Sequence, residues 1–78
     1  MTDTQSTIFN IIANILGVEA TDISASADFL LDLNATPDDM NKIRAEIESS
    51  LDVILPEFDE EGPITVGDLL EIVEDSLL

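Results

Sequence analysis

Few side chains on this chain are equipped for chemistry. It has no cysteine and no histidine, which removes disulfides, thiolate nucleophiles, imidazole bases and the common zinc ligand sets. Beyond carboxylates, the only conceivable bases are Lys42 and Arg44, and a guanidinium stays protonated. Serine and threonine hydroxyls are present without a group to activate them, so a hydrolase is not expected. Catalysis by paired carboxylates has no sequence pattern behind it, and no enzyme and no catalytic residue are expected. The acidic run Glu57, Asp59, Glu60, Glu61 lacks the Asp-x-Asp-x-Asp-Gly spacing of a calcium loop, so it predicts weak counterion attraction and no metal site. The hydroxyl of most interest is that of Thr36, in the stretch Thr36-Pro37-Asp38-Asp39.

That stretch reads as a helix start. Threonine is a favoured N-cap, proline suits the first helical position, and two acids sit where the helix dipole is positive. Thr36 and Asp39 stand three apart and approximate a capping box, with aspartate for the usual glutamate. The helix is predicted to run to about Ser50 or Leu51, burying Met40, Ile43, Ile47 and Leu51, which step by three, four and four. Asp38, Asp39, Lys42, Glu46 and Ser49 or Ser50 then face solvent.

An earlier helix is predicted over Ser6 to Leu16 from the spacing of Ile8, Ile11, Ile12, Ile15 and Leu16. Gly17 can take the left-handed conformation that ends it. Residues 18 to 35 form a long loop in which Ile23, Phe29, Leu30, Leu31 and Leu33 are expected to pin the backbone across the core. Pro56 and Gly62-Pro63 confine any further helix to a turn or so around Glu57 to Glu61. The last helix is predicted to start after Thr65, with Asp68 completing a second approximate capping box. Val66, Leu69, Leu70, Val73 and Leu77 share one side of it. Glu74 and Asp75 oppose the dipole in its last turn and favour fraying there.

With 78 residues, the chain is read as one domain, 1–78, close to the size below which an unstapled core fails. Eighteen acidic residues against two basic ones give a formal charge of −16, which repels nucleic acids and anionic membranes and calls for partners with basic surface patches. At 45% hydrophobic, the composition is too apolar for a disordered acidic tail. No basic segment followed by an apolar run opens the chain, and no stretch approaches about eighteen apolar residues. The expectation is a soluble cytoplasmic monomer.

The spacing of these elements resembles the acyl carrier protein family. Ile11-Ile12-Ala13-Asn14-Ile15-Leu16-Gly17-Val18 is similar to the family's first-helix ending, Ile-x-x-x-Leu-Gly-Val. Ala27-Asp28-Phe29-Leu30-Leu31-Asp32-Leu33 is similar to its Phe-x-x-Asp-Leu-Gly, and Ile64-Thr65-Val66-Gly67-Asp68-Leu69 to the opening of its last helix. The family's attachment motif, Asp-Ser-Leu, opens the second helix. With Pro37 as the serine position, Ile43, Ile47 and Leu51 follow at six, ten and fourteen residues, and Leu55-Pro56 at eighteen and nineteen, as in the family.

The resemblance implies a small all-α, acyl-carrier-like bundle of three main helices plus one short helix. In the family, the serine hydroxyl receives phosphopantetheine, whose thiol carries an acyl group as a thioester. Here Thr36-Pro37-Asp38 replaces the motif, and proline offers no hydroxyl. Thr36 is then either a substitute acceptor or an N-cap. Capping accounts for the threonine, the proline and the acids, whereas attachment accounts for the hydroxyl alone.

Family members also present acids around the second helix to basic grooves of synthases and transferases. Asp39 and Glu48 match family acids, two and eleven residues after the serine position. Lys42 stands where the family often has glutamate, Arg44 adds another positive charge, and Asp38 replaces an apolar leucine that partners grip. The face formed by Asp38, Asp39, Lys42, Glu46 and Glu48 is either a partner surface or a solvated flank. The favoured expectation is an acyl-carrier-like protein without cofactor, serving as a noncatalytic binding or regulatory module. The alternative is a true carrier of fatty acid or related thioester metabolism with phosphopantetheine on Thr36.

Overall fold

Local sequence chemistry starts and stops each helix of the computed structural model, which describes residues 3–58 and 63–77. Helix α1 (Asp3–Leu16) buries Ile8, Ile11, Ile12 and Ala13, an apolar stripe at helical spacing. It ends at Gly17, whose φ of 73° suits glycine and no β-branched residue. The amides of Gly17 and Val18 both donate to the Ala13 carbonyl, at 2.9 and 3.1 Å, so the turn that ends the helix satisfies it.

A 3-10 turn at Ala20–Asp22 follows, in a loop for which no helix is predicted. Helix α2 spans Pro37–Leu51 and α3 spans Val66–Leu77. Of the short helix expected around Glu57 to Glu61, Glu57 and Phe58 are in no helix, and residues 59–61 lie outside the described residues. Among those described, the architecture is all-helical, as expected.

The three helices enclose one apolar core. Ile8 and Ile12 of α1, Ile43 and Ile47 of α2, and Val66, Leu69 and Val73 of α3 are fully buried. No buried polar or charged side chain interrupts the cluster among the described residues. Met40 and Leu51 close the α2 stripe half-buried. Leu77 lies one turn past Val73 and is exposed.

The long loop is held partly as expected and partly otherwise. Ile23 and Phe29 are buried, joined by Ala27 and Ala35, and Leu33 is half-buried. Leu30 and Leu31, however, are 66% and 78% exposed and pin nothing. The backbone around them makes a helical turn: Asp32 and Leu33 amides donate to the Asp28 carbonyl at 2.9 and 3.1 Å, and Asn34 donates to Leu30 at 3.2 Å. Residues four apart share a face of such a turn, so Phe29 and Leu33 go inward while Leu30 and Leu31 go outward.

Backbone bonds stitch this loop to the start of α3. Asp28 and Thr65 form an isolated antiparallel bridge, with Phe29 donating to Ile64 at 2.9 Å and Val66 to Ala27 at 3.0 Å. Gly67 donates to the Ala25 carbonyl at 2.8 Å. A Cβ on Gly67 would stand 3.0 Å from that same oxygen, so the close approach depends on glycine.

Candidate functional site

The α2 start is positioned from both sides. Upstream, the Ala35 amide donates to the Phe29 carbonyl at 2.8 Å, closing the loop onto the helix. Asn34 makes the reversal at φ 56°, a conformation asparagine tolerates better than most residues. It occupies the position where the family pattern Phe-x-x-Asp-Leu-Gly has glycine.

Thr36 then caps α2 as its sequence predicts. Its Oγ1 accepts the Asp39 N–H at 3.1 Å, while Asp39 Oδ2 accepts the Thr36 N–H at 3.1 Å. Pro37 is the first helical residue, where its missing N–H leaves no helical bond unmade. The side chains of Thr36, Pro37 and Asp38 are exposed. The same reciprocal box recurs at α3, between Thr65 and Asp68, again at 3.1 Å in both directions.

Of the acids and bases assigned to a partner face, Asp38 and Asp39 crown the first turn. Lys42 and Glu46 follow one turn apart on an exposed ridge, lining a shallow groove against Ile11 and Ile15 of α1. Glu48 does not join them. It lies two positions beyond Glu46 and so projects from another side of the helix.

There Glu48 Oε2 accepts the Leu55 N–H at 2.8 Å and faces Arg44 Nη1 at 3.4 Å. Arg44 Nη1 also donates to the Leu55 carbonyl at 3.3 Å. The pair clasps the segment after α2 to the helix, which itself ends at Asp52 with φ 57°. The i, i+4 spacing of Arg44 and Glu48 was the available signal for this role.

The sequence reading did not anticipate a cleft of about 520 Å³ beside Pro37. Phe29, Leu30 and Leu31 from the loop, Pro37 and Met40 from α2, and Ile64 before α3 supply much of its wall. Two consecutive leucines after Phe29 were its only trace in the sequence. Among the described residues no group of acids is disposed to hold a metal ion, and Asp59, Glu60 and Glu61 lie outside them. No helix there is long and apolar enough to cross a membrane.

The site thus offers two reciprocal caps, an acidic first turn and an apolar cleft, with no activated nucleophile at the helix start. No family model matches the chain. Curated relatives cover most of it. It is 33% identical over 64 residues to an acyl carrier protein of Chlamydia felis, spanning 82% of each chain. It is 31% identical over 65 residues to an acyl carrier protein of Clostridium acetobutylicum, spanning 83% of this chain and 84% of that one. A third relative, an acyl carrier protein of Helicobacter pylori, is 32% identical over 68 residues, 87% of each.

Proposed function

This chain belongs to the acyl carrier protein family, and we propose that it works without the prosthetic arm, as a noncatalytic protein-binding or regulatory module. The observation that carries this reading is the α2 start. Pro37, which the spacing aligns with the family's serine, has no hydroxyl, and the neighbouring Thr36 is engaged with Asp39 as a cap. A secondary hydroxyl that accepts a backbone amide is a hindered substitute for a free serine.

In this reading the 78 residues act as one cytoplasmic, monomeric domain without cofactor. Its partners are proteins with basic patches that meet Asp38, Asp39, Lys42 and Glu46 and the loop before α2. Glu48, tied to Leu55 and Arg44, contributes charge more than direct contact. The formal charge of −16 speeds encounters with such surfaces and disfavours acidic ones.

Intact-mass measurement on protein purified from its native host tests the reading. The expected mass is that of the unmodified polypeptide. A phosphopantetheine adduct would overturn it and make the chain a carrier, with Thr36 the residue to examine first.

A further inference from the structure

The cleft beside Pro37 is walled by large apolar side chains that the loop turns toward solvent. Leu30 and Leu31 are 66% and 78% exposed, and Ile64 is 51% exposed. Adjacent large apolar side chains around a concave surface mark binding sites more than solvated surface. The volume of about 520 Å³ falls in the roughly 300–1,000 Å³ range of ligand pockets.

The backbone that carries these side chains is tied down by hydrogen bonds. Asp28 Oδ1 accepts the amides of both Leu30 and Leu31, at 2.9 and 2.8 Å. Asp32 Oδ2 accepts the Asp28 amide at 2.8 Å, and Phe29 is bonded to Ile64. A backbone already ordered in this way loses less entropy when the surface it carries is covered.

Charge selects the occupant. Neither Lys42 nor Arg44 lines the cleft: Lys42 lies on the groove against α1 and Arg44 is paired with Glu48. Asp28 is in the cleft wall, Asp32 follows Leu31, and Asp38 follows Pro37. Asp38 and Asp39 more than offset the half positive charge of about +0.5 at the α2 start. A second copy of this chain brings another −16, and anionic lipid or a free carboxylate is repelled likewise.

We propose that the cleft beside Pro37 is the anchor pocket for a cationic amphipathic helix of a partner protein. An apolar side chain of that helix enters between Leu30, Leu31, Met40 and Ile64, and its Lys and Arg residues meet Asp28, Asp32 and Asp38. This is the helix-in-groove mode of recognition, with apolar anchors at i, i+3 and i+4. The inference rests on the armless reading, which leaves the cleft free of a tethered chain.

The test is an NMR titration of the labelled protein with a synthetic helical peptide carrying Lys on one face and Leu and Trp on the other. A peptide of the same composition, shuffled so that no face forms, is the control. Shifts are expected at Leu30, Leu31, Met40 and Ile64, with the shuffled peptide binding roughly tenfold or more weakly. Leu31→Ser is expected to weaken binding roughly tenfold or more. Ile54→Ser, which removes an 89% exposed side chain outside the cleft, should change it less than about twofold.

Equal binding of the shuffled peptide, equal losses in the two serine variants, or shifts gathered at Ile11, Lys42 and Glu46 would each overturn the proposal. So would tighter binding of decanoate than of the peptide at the same residues, or a Leu31-dependent dimer in sedimentation. Lack of peptide binding by a protein of unmodified native mass defeats this inference alone. A phosphopantetheine adduct in the native mass defeats the reading beneath it.

Discussion

Thr36 is a cap before it is anything else, and substitution separates its two conceivable roles. Thr36→Ala removes the acceptor for the Asp39 amide and is expected to cost about 1 kcal/mol of stability, while Thr36→Ser and Thr36→Asp should be nearly neutral. Aspartate is the informative replacement because it caps but cannot accept phosphopantetheine. Urea unfolding of the three variants decides the matter, and a Thr36→Asp protein as unstable as Thr36→Ala contradicts the capping role. At the other end of α2, Glu48→Ala strips a carboxylate from the Leu55 amide and from Arg44. A cost of about 1–3 kcal/mol is expected, since a part-buried donor loses its partner. Glu48→Gln keeps an amide oxygen for Leu55 and should recover much of that stability. Equal midpoints for wild type and Glu48→Ala would reduce the clasp to a surface contact.

The helices were legible because their ends are local chemistry. Thr36-Pro37 with Asp39, Thr65 with Asp68, and Gly17 after an apolar stripe each name a cap within four residues, and each cap is present. The loop before α2 was less legible. An apolar residue outside a periodic element carries no signal of its direction, so Leu30 and Leu31 read as core while the Asp28 carboxylate turns them outward. The Ala20–Asp22 turn is too short for a period, and the tie from Glu48 to Leu55 spans an irregular segment. The alignment of Pro37 with the family's serine, by contrast, rests on the resemblance, through the spacing of Ile43, Ile47, Leu51 and Leu55-Pro56. Asn34 gives this element its own test. At φ 56°, Asn34→Gly should be neutral within about 0.5 kcal/mol, whereas Asn34→Val should cost about 1–2 kcal/mol from the left-handed clash. Thermal melts that rank valine level with glycine would contradict the loop geometry.

Across the whole molecule, a charge of −16 acts against a core from only 78 residues. Self-repulsion should therefore limit stability, and sodium chloride should raise the melting temperature by screening it. Magnesium should do so at lower ionic strength. A melting temperature that does not move between low and moderate salt would show that repulsion is not limiting. The same molecule decides the central claim by its mass after incubation with coenzyme A and a promiscuous phosphopantetheinyl transferase. The wild-type mass should not change, because Pro37 has no nucleophile and Thr36 is occupied as a cap. The triple variant T36D/P37S/D38L, which rebuilds the family motif at the aligned position, should take up the arm. A phosphopantetheine adduct on the wild-type protein that disappears in Thr36→Ala would contradict the armless account.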